Sequence, residues 1–150
     1  MTAAIRAAVA TDAPALALIH AACFPSGWSQ DDLAAFAGDS TCLCLLCGVD
    51  APAGFILCRS AAGEAEILTL AVRPDSRRQG IGRRLVTEAM SRLGATGAAL
   101  IFLEVDSANT AARGLYESLG FIAVGKRPGY YGKGAAAPPG DALVLRRDLP

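Results

Sequence analysis

Charge of one sign is the first thing this chain lacks: fourteen basic and fourteen acidic residues cancel over 150 positions. A balanced chain has no general attraction for nucleic acid or for an anionic membrane surface, so neither is expected as a partner. Long apolar runs are missing too. None approaches the ~18 residues of a spanning helix. The opening "MTAAIRAAVATDAPAL" lacks the charged-then-apolar layout of a signal peptide, which makes the cytoplasm the expected compartment. Histidine is reduced to His20, beside an apolar helix face, where packing or a surface position is the expected role. The Cys-x-x-Cys inside "CLCLLC" therefore has no second Cys/His pair with which to complete four metal ligands. On a strand, a spacing of three also sends Cys44 and Cys47 to opposite faces. The odd set of Cys23, Cys42, Cys44, Cys47 and Cys58 reads as reduced thiols among apolar neighbours.

What is present suits one domain over 1–150. Ile5 to Ala8 reads as a short strand. Thr11-Asp12 with Pro14 opens a helix whose inner face is Leu16, Ile19 and Cys23. "WSQDDLAAF" opens a second helix, with Ser29 as cap and Asp32 at the capping-box position. "TCLCLLCGV", "AGFILCRS" and "AEILTLAV", parted by "DAP" and "AAGE", form an antiparallel meander. Ile81, Leu85, Ala89 and Leu93 then recur at four-residue steps, an amphipathic helix ended by Gly94. "AALIFLEV" reads as a strand buried on both faces. "SANTAARGLYESLGF" is a helix capped near Ser107 and stopped by Gly120. Strands at Phe121–Val124 and Ala142–Arg146 close the order. The expected class is α/β (α+β): one mixed, largely antiparallel central sheet flanked by helices.

Between the third meander strand and the amphipathic helix stands "RRQGIGRRLV", with two glycines and four arginines in ten residues. A helix N-terminus offers unpaired amides and partial positive charge. Gly80 and Gly82 allow close approach to the main chain, and Arg77, Arg78, Arg83 and Arg84 add phosphate-matching donors. A phosphate site fits; a glycine turn followed by a solvated arginine-rich face is the plainer alternative. A Walker loop would need Gly-Lys-Ser/Thr. A dinucleotide fingerprint would need glycine where Leu85 stands, after the first strand rather than after several.

Arg77-Arg78-Gln79-Gly80-Ile81-Gly82 resembles the Gln/Arg-x-x-Gly-x-Gly/Ala signature of the GNAT superfamily of acetyl-CoA-dependent N-acetyltransferases. The similarity continues through "AEILTLAVRP", "LEVDSANTAARGLYESLGF" and "GYY…DALVL", over half the chain. Within the superfamily it is most similar to the ribosomal-protein-alanine N-acetyltransferases. The resemblance implies the acyl-CoA N-acyltransferase fold and acetyl-CoA as cofactor. The acceptor would be a protein or peptide N-terminus, a ribosomal protein among the candidates, and the enzyme a monomer or weak dimer. The segment Arg77, Arg78, Gln79, Gly80, Ile81, Gly82 and Arg83 would hold the pyrophosphate. Leu70, Ala71 and Val72 would run beside the pantetheine arm, and Asn109 would contact it. Glu104 matches the general base and Tyr116 the general acid. Glu66 is a rival base, placed by parity on one face with Leu68, Leu70 and Val72. Trp28, with Phe24, lines an acceptor groove or anchors the two helices; Tyr130 and Tyr131 are further acceptor contacts. Gly114 inside a helix hints at close approach of cofactor or strand. A lone Asp141 before the last strand replaces the family's acidic run, which bears on peptide specificity.

The chemistry is consistent with that implication. An α-amine with pKa near 7.7–8 is about a fifth to a third neutral at pH 7.4, whereas lysine, near 10.4, is about three units short. A phenol stays protonated at neutral pH and can donate to a thiolate. Acetylation of a small amine or an internal lysine, and non-catalytic acyl-CoA sensing, are the alternative functions.

Overall fold

The computed structural model describes residues 4–25, 27–48, 51–127 and 141–149. Seven strands form one sheet: β1 (Ile5–Ala7), β2 (Cys42–Cys47), β3 (Gly54–Ala61), β4 (Glu64–Val72), β5 (Leu100–Asp106), β6 (Ile122–Arg127) and β7 (Ala142–Asp148). Their spatial order is β1-β2-β3-β4-β5-β7-β6. Every neighbouring pair is antiparallel except β4–β5, so the mixed, largely antiparallel sheet is as expected. Helices α1 (Ala13–Cys23) and α2 (Gln30–Gly38) cover one face, and α3 (Ile81–Ala95) and α4 (Thr110–Ser118) the other.

Each face owns a core. Leu16, Leu33, Leu46, Phe55 and Leu57 pack under α1 and α2. Ile56, Leu85, Ile101, Leu145 and Tyr116 pack under α3 and α4. Cys44 belongs to the first and Cys47 to the second, the opposite faces that strand parity requires. The five cysteines form no disulfide among the described residues, and no candidate metal cluster occurs among them. Burial pushes the Cys44 thiol up to about 12, which leaves it inert at neutral pH.

Local chemistry explains most element ends. Ser29 Oγ accepts from the Asp32 amide (3.1 Å), and Asp32 accepts from the Ser29 amide (3.2 Å), the reciprocal box that starts α2. Two helix ends differ from expectation. Gly94 lies inside α3, whose last turn is closed instead by Gly97 (φ 102), two residues beyond Ala95. There the Ala98 amide donates to the Leu93 carbonyl and Gly97 to Gly94, a left-handed cap that closes the last turn. Ser107 does not cap α4; Asn109 does, its Oδ1 accepting from the Ala112 amide at 3.1 Å. Strand β5 is not evenly buried on both sides. Ile101, Leu103 and Val105 are buried, the residues between them are only half-buried, and β4 leaves β5 partway along.

That departure positions the site. β4 and β5 pair only through Glu64↔Leu100, Ala65↔Ile101 and Glu66↔Phe102. Immediately beyond, the register of β4 against β3 slips from Cys58↔Ile67 to Leu57↔Thr69, leaving Leu68 as an extra residue. The bulge turns β4 away while β5 stays paired with β7 as far as Asp106↔Ala142, and the sheet opens between the two strands.

Candidate active site

After β4 the chain makes a short 3-10 turn at Pro74–Ser76 and reaches the arginine–glycine stretch. Arg78 has φ 63 and Gly80 φ 76. The left-handed region costs a non-glycine residue about 1–2 kcal/mol, so the fold holds Arg78 there against its preference. Left-handed residues in such a turn aim successive amides to one side and make an anion-sized concavity. No side chain caps α3. Its first bond runs from the Arg84 amide to the Gly80 carbonyl at 3.0 Å, so the amides of Ile81, Gly82 and Arg83 have no acceptor within the helix.

The four arginines do not share one role. Arg77 Nε donates to the Val72 carbonyl (3.2 Å), which also accepts from Cys23 Sγ (3.3 Å). Arg83 bonds Ser118 Oγ, tying α3 to α4, and Arg84 reaches Cys47 Sγ. Arg78 alone of the four has no ion pair or hydrogen bond from its guanidinium among the described residues. The main chain, with Arg78 beside it, is what remains for an anion. Gln79 is exposed on the same turn.

From this turn a groove runs toward the gap in the sheet through three cavities that share walls. The first, about 330 Å³, lies against Arg78, Gly80, Gly82 and Leu115. The second, about 620 Å³, shares Val72, Arg78, Gly82 and Leu115 and continues past Leu70, Ala71 and Asn109. The third, about 400 Å³, shares Leu70, Asn109, Cys23 and Phe24 and opens between the strands onto Thr69, Glu104 and Tyr116. The structure thus brings Leu70, Ala71, Val72, Asn109, Glu104, Tyr116 and the 77–83 turn onto one continuous surface. Asn109 contributes its amide from the cap of α4.

Glu104 and Tyr116 reach the gap from opposite faces. The neighbours of Glu104, Leu103 and Val105, pack under α3 and α4, so Glu104 points to the α1 side. Tyr116 belongs to the α3–α4 core, 5 % exposed, with its ring edge-on to Phe121 at 5.4 Å. Burial pushes its phenol above the usual range, keeping it protonated at all physiological pH. It is buried more deeply than Leu115 and Leu119.

Other predicted residues fall elsewhere. Glu66 pairs in register with Phe102 and Arg59 and is not among the residues lining the three cavities. The parity expected for it is corrected by the bulge. Glu66 and Leu68 share the α1 side, whereas Leu70 and Val72 pack on the α3 side. Trp28 stacks on His20 at 4.9 Å and tilts against Phe36 at 5.2 Å, which joins α1 to α2, while Phe24 lines the third cavity. His20, 5 % exposed, accepts from the Trp28 amide at Nδ1, and burial pushes its pKa down. It is a packing histidine. Among the described residues nothing lies within 4 Å of a Cβ built on Gly114, so no described strand or helix approaches there. Tyr130 and Tyr131 lie outside the described residues. Cys23 and Thr69 are among the groove residues left without a site role by the sequence. Cys23 reads there only as a core position of α1. Thr69 carried one signal, a lone hydroxyl in an apolar strand.

A sequence model of the acetyltransferase (GNAT) family matches residues 13–121. The [ribosomal protein bS18]-alanine N-acetyltransferase of Escherichia coli K12 is 36% identical over 121 residues, 81% of this chain and 82% of that protein. N-alpha-acetyltransferase RimI of Mycobacterium tuberculosis is 41% identical over 90 residues, 60% of this chain and 52% of that protein. The crystal structure of the ribosomal-protein-S18-alanine N-acetyltransferase from Escherichia coli superposes with a TM-score of 0.88 at 31% identity, covering 97% of this chain and 93% of that one.

Proposed function

Because this chain belongs to the acetyltransferase (GNAT) family, we propose that it transfers the acetyl group of acetyl-CoA to the α-amine of a protein N-terminus. An N-terminal alanine of a ribosomal protein is the first acceptor to test. The observation that carries the reading is the continuous groove from the unpaired amides of the 77–83 turn to the gap holding Glu104 and Tyr116. Five cysteines without a disulfide support a reducing cytoplasmic setting.

The residues fit the cofactor in kind. The amides of Ile81, Gly82 and Arg83 with Arg78 would take a pyrophosphate at the helix N-terminus. The edge of β4 at Leu70 and Ala71, which β5 has left, would take an amide-bearing arm as an added strand. Bound acetyl-CoA supplies an acyl carbonyl activated as a thioester. Glu104, on the α1 side, then accepts the proton of the incoming ammonium through a water. Tyr116, on the opposite side, gives its phenolic proton to the departing sulfur and regains one from the nitrogen as the amide forms. Its raised pKa makes it a reluctant donor in isolation, but a thiolate released beside the same buried ring is more basic for the same reason. An α-amine needs only modest help from Glu104, while a lysine would need about 4 kcal/mol to reach neutrality at pH 7.4.

The test is acetyl-CoA turnover against a peptide array with free N-termini, including N-terminal alanine, and mass-spectrometric mapping of the modified amine. The expected product carries acetyl on the α-amine, with a rate that rises with pH through about 7.7–8. Acetyl found only on internal lysines or on small amines would overturn the acceptor class.

A further inference from the structure

We propose that Thr69 is a positioning residue of the proposed transfer: its hydroxyl holds the water through which Glu104 takes the acceptor's proton. This rests on the acetyl-transfer reading and deepens it. Thr69 is one of only two buried polar or charged residues described, the other being His20, and is 7 % exposed. Its hydroxyl makes no hydrogen bond among the described residues, yet it is not sealed from the cavity. It lines the same 400 Å³ cavity as Glu104. A buried hydroxyl without a partner is unfavourable and rare in folded proteins, and this one opens where water and an amine must meet a carboxylate.

The bulge is the reason it points there. On an unbroken strand Thr69 would share a face with Ala65 and Ile67, in the α3–α4 core. With Leu68 as the extra residue, Thr69 stands opposite Leu57 instead, and directly opposed residues share a face. Leu57 belongs to the α1–α2 core, the side onto which Glu104 projects. The register slip therefore moves one hydroxyl from behind the sheet to the side of the carboxylate, at the level where the strands part. Placed there, Thr69 Oγ1 accepts a hydrogen bond from the water while that water donates to Glu104. The ammonium proton passes to the water as one of the water's protons passes to the carboxylate, so the water is regenerated and Glu104 ends protonated.

The experiment compares Thr69→Val, which keeps shape and removes the hydroxyl, with Thr69→Ser, which keeps the hydroxyl and removes the methyl. Steady-state turnover with an acceptor peptide is measured beside the calorimetric Kd for coenzyme A. We expect Thr69→Val to lower kcat about tenfold or more with the Kd unchanged within twofold, and Thr69→Ser to recover wild-type kcat within about threefold. Unchanged coenzyme A binding shows that both variants are folded. Wild-type kcat in Thr69→Val, or equal losses in both variants, would overturn the proposal, the second outcome assigning Thr69 to packing. A wild-type chain that binds coenzyme A but acetylates no amine would overturn the transfer reading itself, and Thr69's role with it.

Discussion

Gly82 separates fold from binding. A Cβ built there meets Leu115 Cδ2 at 3.4 Å, Leu70 Cδ2 at 3.7 Å and Val72 Cγ2 at 3.9 Å. These are ordinary contacts, and Gly82 lies in the first turn of α3, where alanine is favoured over glycine by up to about 1 kcal/mol. Gly82→Ala should therefore melt at or above the wild-type temperature. The new methyl, however, stands in the wall shared by the 330 and 620 Å³ cavities, over the amide that has no acceptor within the helix. Denying an anion one or two charge-assisted hydrogen bonds removes about 1.5–3 kcal/mol each. That converts to a rise in Kd for coenzyme A of at least about tenfold, at 1.4 kcal/mol per decade. Gly80 is the control. Among the described residues nothing lies within 4 Å of a Cβ built there, but its φ is +76, so Gly80→Ala should lose about 1 kcal/mol of stability to strain, a fall of roughly 2–4 °C. Calorimetry with coenzyme A and thermal melts on both variants read the two effects. Wild-type affinity in Gly82→Ala would refute the assignment of this turn.

Three further outcomes follow from the structure. Tyr116→Phe should keep coenzyme A affinity, since the ring still packs on Phe121, while turnover drops on the order of 10²-fold or more; full turnover would remove the acid role. Glu104→Gln should lower kcat by a similar factor and Glu66→Gln by no more than a few-fold, because only Glu104 lines the cavity at the gap; the reverse ranking would transfer the base role. His20 has its pKa lowered by burial from 6.5, so the unfolded chain binds its proton first. Stability from this group is complete above about pH 6.5 and declines as pH falls through the folded pKa. His20→Asn, whose amide oxygen can accept the Trp28 amide, should flatten that acid slope in a melting-temperature series, and an unchanged slope would assign it to the carboxylates.

The elements that the sequence made legible are those set by local chemistry. The Ser29–Asp32 box acts within one turn, the AAGE turn tightens at Ala62 (φ 54) and Gly63 (φ 80), and the four-step stripe of α3 is buried as read. Errors arise where two local signals compete. Gly94 and Gly97 both suit a helix end, and Gly97 wins because the left-handed residue must be followed by one whose amide reaches back to Leu93. Ser107 and Asn109 both suit a cap. Asp106 Oδ1 accepts the Ala108 amide and holds the chain in a turn, so the helix begins two residues later than the first candidate.

The bulge at Leu68 belongs to a different class, because no residue of β4 announces it. Register is a property of two strands, and the slip exists only where Thr69 meets Leu57. Parity counted along β4 alone therefore joined Glu66 to Leu70 and Val72, which the slip separates. Strand pairing also decides which side chains can meet. Glu104 and Tyr116 lie on opposite faces of a hydrogen-bonded sheet, and an intact sheet would keep them apart with its own backbone. They can address one carbonyl only where pairing fails, and it fails directly after Glu66↔Phe102. The proposed acid and base thus come to line one cavity through a defect in strand pairing, not through their spacing in the chain. A change that extended β4–β5 pairing by even two residues should abolish turnover while leaving both side chains present and the protein at least as stable.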